Sequence, residues 1–269
     1  ARKGIFFMKT SKKITVAALS AATALVGATG AVSSFAWFAT NGSVSATGMA
    51  IKSKVTNNYL EIKNGAAEDS NENWLTTVAA KSKLKAVAPV HPVKSFNAEA
   101  KTYAEYDGGE NLSWVVANSK DADKYEKDGD YSSVTMPAEG GDYALAETFN
   151  IRIRPGTETL TATNLALSSV AWSNSDKITG DAAKIAPAMR VLAYNATVKR
   201  GTIFSYSNGT WARVKTSAEY LNDSFTSEQP QTINVYVYID GEDKACTSNN
   251  ARVGLADGYS VDLTFSIAK

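Results

Sequence analysis

The feature that most constrains the fold is a strict two-residue alternation of apolar and polar side chains. From Ile233 to Ile239 every second residue is aliphatic, and the residues between them are Asn or Tyr. The same alternation runs from Tyr259 to Ile267 and, over a shorter stretch, from Phe149 to Arg154. Successive side chains of a strand point to opposite faces, so the pattern predicts strands with one buried face and one solvated face.

Further strands are predicted elsewhere in the body, separated by glycine, proline and asparagine turns. Leu165 to Trp172 has the pattern of one strand or a bulged pair, and Tyr59 to Ile62 that of a short strand. Asn208-Gly209 predicts a tight hairpin because both residues tolerate the positive φ of a primed turn. The spacing from Leu75 to Val87 instead favours a short helix. Many strands and little helix predict an all-β, jelly-roll-like antiparallel β-sandwich.

The beginning of the chain has a different composition. Five basic residues precede Ile14, and no ionisable side chain occurs from Ile14 to Ile51. The apolar part, which ends near Val32, is long enough to enter a bilayer as a helix, since spanning needs roughly 20 residues. A basic start, an apolar segment and a small-residue site are the parts of a secretory signal peptide. We therefore expect residues 1–36 to be a leader with an apolar helix, cleaved between Ala36 and Trp37.

A second interpretation of the apolar segment stays open. The helix would be retained and would bundle in the core of a filament, as it does in pilins. Under the cleavage hypothesis the protein is secreted, remains extracellular or on the cell surface, and touches the membrane only through its leader. Mass spectrometry of the N-terminal peptide from secreted material distinguishes the two, because a peptide beginning before Trp37 excludes the expected site.

Charge and cysteine content exclude some classes of protein. Without the five basic residues of the leader, residues 37–269, which comprise an N-terminal strand at 37–55 and the β-sandwich body at 56–269, have 23 Lys and Arg against 27 Asp and Glu, a net charge of about −4. Such a body lacks the basic excess that a nucleic-acid-binding protein needs. Cys246 is the only cysteine, so no intrachain disulfide can form and the fold depends on packing.

The residue combinations that enzymes use are missing. His91 is the only histidine, whereas a zinc protease motif needs two, one helical turn apart. No Gly-x-Ser-x-Gly elbow and no glycine-rich phosphate loop occur, and a converging pair of carboxylates is the one catalytic alternative left open. Four aspartates, Asp121, Asp123, Asp128 and Asp130, miss the calcium-loop spacing, because Glu126 stands where that loop requires glycine. We expect a protein that is not an enzyme and has no cofactor or metal site.

A polar excursion interrupts the body at about residues 99–133. Its compact apolar anchor consists of Leu112, Trp114, Val115 and Val116, and we expect exposed loops around one short strand or helix. Its tyrosines are Tyr103, Tyr106, Tyr125 and Tyr131. Exposed, they would suit a monomeric surface adhesin or carbohydrate-binding module, although such rings more often pack a loop onto the body.

The segment from Trp37 to Val55 is predicted to be the first strand. Cleavage would leave it covalently held at one end only, so it can add to an open sheet edge of another chain. Repeated head-to-tail insertion of this kind does not close and gives a filament. The side chains expected to anchor this donor strand are Trp37, Phe38, Val44, Ala46, Met49 and Ile51. The alternative is an ordinary edge strand of its own domain.

Several short stretches carry a family resemblance: the Ala-rich leader, Phe35-Ala36-Trp37-Phe38, Thr40-Asn41, Ala46-Thr47-Gly48, the acidic turn from Ile239 to Ser248, and the closing Ser260 to Phe265. They resemble the TasA and camelysin group of exported proteins of Gram-positive bacteria, whose signal peptides are processed by the SipW type of signal peptidase. This resemblance implies a jelly-roll subunit of extracellular fibres in a biofilm matrix. It also implies a homopolymer in which the freed N-terminal strand inserts into the neighbouring subunit.

Overall fold

The computed structural model describes residues 51–56, 60–65, 74–79, 87–117, 131–137, 140–154, 163–173, 175, 178–180, 182–226, 229–247 and 260–268. The expected leader, its cleavage site and residues 37–50 of the expected donor strand lie outside these ranges. So do the four aspartates of the polar excursion. Within the described ranges, no helix has both the length and the apolar character needed to cross a membrane.

Most of the described residues lie in strands and few in helical turns, which confirms the all-β prediction. The strands are β1 (Ile51–Thr56), β2 (Leu60–Asn64), β3 (Thr77–Ala79), β4 (His91–Asn97), β5 (Thr102–Glu105), β6 (Ser113–Ala117), β7 (Tyr131–Val134), β8 (Ala144–Ile153), β9 (Thr163–Trp172), β10 (Met189–Asn195), β11 (Arg200–Ser207), β12 (Thr210–Arg213), β13 (Asn222–Phe225), β14 (Gln231–Ile239) and β15 (Val261–Ala268). The helical turns are α1 (Ala182–Ile185) and a 3₁₀ turn (Ala186–Ala188).

The strands are arranged in three sheets. The first sheet has the order β13-β9-β15-β1-β3, the second β12-β11-β10-β14-β8-β2, and the third β5-β4-β6-β7. Among the described strands every pairing is antiparallel except that of β1 with β15, which is parallel. The first and last described strands are therefore neighbours.

The first two sheets share one hydrophobic core. Phe149 and Ile151 of β8 pack in the same cluster as Leu263 and Phe265 of β15, and all four are at most 1% exposed. The alternating residues of β14 that the sequence predicts to be buried also belong to this cluster: Ile233, Val235, Val237 and Ile239. Burial of these side chains on both inner faces is the main source of stability in such a layered fold.

The third sheet covers part of the outer face of the second sheet. Trp114 of β6 makes edge contacts with Tyr236 and Tyr238 of β14, with ring centroids 5.5 and 5.3 Å apart. Val116 and Tyr106 join the same cluster. The expectation of loops around one short strand or helix at residues 99–133 is thus wrong for the described part, which supplies the strands β5 and β6 and the start of β7. Many of its residues are exposed as expected, but Trp114, Val115 and Val116 of the predicted apolar anchor are buried.

Three local predictions can be compared with the structure: a hairpin turn, a bulged strand and a short helix. Asn208 and Gly209 have φ of 51° and 81° and connect β11 to β12, as the hairpin prediction requires. The register of β9 against β15 shifts between Thr264 and Phe265, which confirms a bulged strand. The helix expected from Leu75 is wrong at its start, because Thr77–Ala79 is extended and pairs with β1.

Candidate assembly edge and buried charge cluster

The strand β1 fills a place between β15 and β3 in the first sheet. It pairs with β15 over six positions, from Ile51 opposite Val261 to Thr56 opposite Ser266. On its other side it pairs with β3 over three positions. The described end of the expected donor strand, residues 51–55, therefore lies in the sheet of its own chain in this single-chain structure.

The strand that receives β1 also supplies much of the core. Val261, Leu263 and Phe265 are at most 1% exposed and face the second sheet. On the opposite edge of β15, β9 is hydrogen-bonded over eight positions. Taking β1 away would leave one side of β15 with unpaired backbone N–H and C=O groups, and such an edge accepts any strand of suitable register. We call the β15 edge that faces β1 the assembly edge.

The donor residues expected from the sequence fall into two groups. Ile51 is the first residue of β1 and lies opposite Val261. The others, together with the cleavage residue Ala36, are outside the described residues: Trp37, Phe38, Val44, Ala46 and Met49.

A second feature is a cluster of charged side chains where the third sheet meets the end of β14. His91 of β4 lies between two carboxylates: its Nδ1 is 2.8 Å from Asp240 Oδ1 and its Nε2 is 2.9 Å from Glu105 Oε2. The His91 and Asp240 side chains are only 13% and 12% exposed. The backbone reinforces the junction, because the Val90 N–H donates to the Ile239 carbonyl at 2.9 Å.

Asp240 is also held from the other side. Arg190 of β10 places Nε 3.2 Å from Asp240 Oδ2 and donates from an Nη to Asp243 at 2.6 Å. The acidic turn that follows β14 is thereby fixed, since the Asp240 and Asp243 carboxylates accept the N–H groups of Glu242 and Ala245. The resulting chain of contacts, which we call the charge cluster, runs from Glu105 through His91, Asp240 and Arg190 to Asp243.

The charge cluster changes the ionisation of its members. Burial by itself would lower the pKa of His91, but the hydrogen bonds to Asp240 and Glu105 outweigh it and raise that pKa to about 9. Burial would raise the pKa of Asp240, yet His91 and Arg190 together lower it. At neutral pH the cluster therefore contains an imidazolium between two carboxylates.

This geometry explains a structural role better than a catalytic one. Both ring nitrogens of His91 are engaged by carboxylates, so neither is available to take a proton from a nucleophile. Burial raises the pKa of the Cys246 thiol well above its usual range, and the side chain packs against the core. A protonated thiol is a poor nucleophile. Within the described residues, no group of three or more His, Cys, Asp or Glu is arranged to hold a metal ion.

The described tyrosines of the polar excursion pack against other side chains. Tyr106 and Tyr131 are 4% and 3% exposed, and Tyr103 makes an edge contact with Tyr131 at 4.8 Å. Tyr125 lies outside the described residues. These three described rings are therefore not an exposed binding platform.

The charge cluster as a unit could not be predicted from the sequence. His91 and Asp240 are 149 residues apart, and although Asp240 lies in the acidic turn after Ile239, nothing in that turn points to His91. The one usable signal was chemical: a single histidine beside prolines, and a run of acidic residues directly after the most regular strand.

Replacing His91 with Gln should destabilise the protein in a pH-dependent manner. Because the folded-state pKa is raised, the stabilisation is complete below the unfolded value of about 6.5 and is lost as pH rises through about 9. A shift of this size corresponds to at most on the order of 3 kcal/mol. Urea unfolding of wild type and His91→Gln at pH 6 and pH 10 measures it, and the difference between the two proteins should shrink at pH 10.

A second variant, Glu105→Gln, serves as the comparison for that experiment. Glu105→Gln should have a smaller effect, because the Glu105 side chain is 66% exposed and solvent weakens its attraction to His91. An equal wild-type-to-variant difference at both pH values would show that the imidazolium charge does not stabilise the junction.

Comparison with protein families, with curated proteins and with solved structures found no match to this chain.

Proposed function

We propose that this protein is the structural subunit of an extracellular filament and assembles by inserting its N-terminal strand into the neighbouring copy. In this proposal signal peptidase removes residues 1–36, with their apolar helix, during export. The body is a jelly-roll-like sandwich, and the principal partner is another copy of the same chain, joined head to tail. The expected product is a biofilm matrix fibre or a pilus-like fibre.

The observation that supports this proposal most strongly is the parallel pairing of β1 with β15. Strands joined by a hairpin are antiparallel, so the parallel strands β1 and β15 are not joined in this way. β1 is therefore added beside β15, which pairs antiparallel with β9 on its other side. It also comes from the N-terminal side of the body, where the expected cleavage would leave a free end. If β1 leaves, β13, β9 and β15 keep their order, and β3 loses the strand with which it pairs.

Identical chains make the exchange energetically simple. The β1 strand of a second copy has the same sequence, so it can form the same six-position ladder with β15 that the chain's own β1 forms. Exchange then replaces each intramolecular contact by an identical intermolecular one, as in domain swapping. Exchange is opposed only by the entropy lost when two chains associate and their exchanged segments become ordered.

The shortness of the connection after β1 is a further argument for exchange. Only three residues, 57–59, separate Thr56 in the first sheet from Leu60 in the second. Short hinge segments are known to promote swapping, because a strand that extends away from its own body docks more easily on another. A contact between one copy's β1 and the next copy's assembly edge is heterologous, so repetition continues into a filament.

Electron microscopy of the purified chain beginning at Trp37 tests the proposal. We expect long filaments whose amount rises with protein concentration. A matched variant with six Gly and Ser residues inserted between Tyr59 and Leu60 should form fewer filaments, because the longer hinge lets β1 fold back into its own sheet. A monomer under all conditions would contradict the proposal and would favour a binding module.

A further inference from the structure

A cleft of about 410 Å³ lies where the loop after β5 meets the second sheet. Lys94 of β4 and Asp107 line one side, and Arg200 of β11, Glu219 and Tyr220 line the other. The volume falls in the range of about 300–1,000 Å³ that is usual for small-molecule pockets. The cleft is separate from both the assembly edge and the charge cluster.

The floor of the cleft is fixed backbone. The Gly201 N–H donates to the Gly108 carbonyl at 3.0 Å, and the Ala218 N–H donates to the Gly201 carbonyl at 3.1 Å. Gly108 has a φ of +82°, and a Cβ there would lie 2.2 Å from the Ala218 nitrogen. Because the floor is already ordered, a ligand would not have to order it on binding.

The charged side chains around the cleft are balanced and held in place. Lys94 pairs with Asp107 at 2.6 Å, and Arg200 pairs with Asp223 just outside the lining at 2.7 Å. Two cations and two carboxylates line the cleft, the second carboxylate being that of Glu219. Each cation already has a carboxylate partner, so the cleft offers an anionic ligand no unpaired positive charge.

These groups still have hydrogen-bonding capacity. An ammonium has three N–H donors, a guanidinium five, and each carboxylate oxygen accepts more than one bond. The side chains of Lys94, Asp107 and Arg200 are 46%, 49% and 38% exposed, so a ligand can reach them. A hydroxyl group both donates and accepts, which matches alternating cations and carboxylates. Tyr220 adds a half-buried aromatic ring, whose apolar face suits the C–H face of a sugar ring.

We propose that this cleft binds a neutral, hydroxyl-rich glycan chain. Four of its eight lining residues are charged, whereas most small-molecule pockets are lined mainly by apolar side chains, and its paired cations disfavour polyanions. The cleft is open to solvent, so a chain can cross it with its ends free. Because the binding groups are half exposed and compete with water, each site is weak, and a filament would add affinity by presenting many copies.

Isothermal titration calorimetry of the full chain with maltohexaose, cellohexaose and chitohexaose tests the proposal, with hexagalacturonate as the charged probe. At least one neutral hexasaccharide should bind with a Kd of about 1 mM or tighter. Glu219→Ala and Tyr220→Ala should each weaken that binding about five-fold or more. The matched control Glu99→Ala, an exposed glutamate in the turn after β4, should leave it unchanged.

Three results would overturn the proposal: no heat with any neutral hexasaccharide, binding unaffected by both cleft variants, or tighter binding of hexagalacturonate than of every neutral chain. Circular dichroism checks that each variant is folded, and Glu219→Ala removes only an exposed side chain. The assay responds to the cleft in monomers and filaments alike. Its failure would leave strand exchange untouched, and a failure of strand exchange would leave this proposal untouched.

Discussion

Deleting residues 37–56 is expected to abolish filament formation completely. The deletion removes β1 and with it a ladder of six positions on β15 and three on β3. Each backbone hydrogen bond is worth about 1 kcal/mol net, so the body should lose several kcal/mol of stability. Electron microscopy and sedimentation of the shortened chain should show no polymers, and urea unfolding should show the lower stability.

A synthetic strand should restore the body without restoring the filament. A peptide of residues 37–56 added in excess should bind one to one, raise the unfolding midpoint and leave the complex soluble, because it carries no second body. A peptide of shuffled sequence is the control. A shorter deletion, Trp37 to Met49, spares β1 and shows whether the segment before it is also needed for assembly. Filaments formed by the chain without residues 37–56 would contradict strand exchange.

Gly108→Ala is expected to destabilise the protein strongly. Gly108 has a positive φ, and an added Cβ would lie 2.2 Å from the Ala218 nitrogen and 2.7 Å from the Gly201 oxygen. Both neighbours are backbone atoms, so relief requires the loop after β5 to move off the second sheet. Conformational strain and overpacking together should cost roughly 2–5 kcal/mol.

Gly209→Ala separates these two causes. Gly209 has a φ of +81°, nearly the same as Gly108, but a Cβ there would meet nothing within 4 Å. Its cost should therefore be the conformational strain alone, about 1–2 kcal/mol. Urea unfolding of both variants measures the difference, and hydrogen exchange in β4 reports whether the third sheet has loosened. Equal costs for the two variants would show that the loop after β5 is not tightly packed on the second sheet.

Strand alternation was enough to predict the layered body, because it reports local burial. In β8, β14 and β15 the apolar face that the alternation predicts is buried. The Asn208-Gly209 turn has the positive φ angles that these two residues tolerate. The outer face of β14 could not be predicted in the same way. Its tyrosines are compatible with solvent, yet Tyr236 and Tyr238 are 7% and 1% exposed under Trp114.

Contacts between residues far apart in the sequence could not be predicted either. His91 contacts Asp240 only because the start of β4 lies beside the end of β14, where Val90 and Asp240 form a parallel bridge. Nothing in the local sequence of either residue predicts that pairing. The parallel pairing of β1 with β15 joins the two ends of the described chain, which periodicity cannot detect. The cleft beside Tyr220 likewise combines residues from four separate stretches.

The most direct test of strand exchange is a mixed cross-linking experiment. Lys54 lies opposite Thr264 in the β1–β15 ladder, so cysteines at these positions are close enough for a disulfide. One chain carries Lys54→Cys and the other Thr264→Cys, both with Cys246→Ala, and filaments grown from the mixture are oxidised. Ser169→Cys replaces Thr264→Cys as the control, because Ser169 is on β9, one strand farther from β1.

Strand exchange predicts covalent dimers of the two chains on non-reducing gels, no dimers with the Ser169→Cys control, and a ladder of multimers when one chain carries both cysteines. Only monomers from the mixed filaments, with the doubly substituted chain closing its disulfide within itself, would contradict the account, because β1 would then lie in its own sheet inside the fibre.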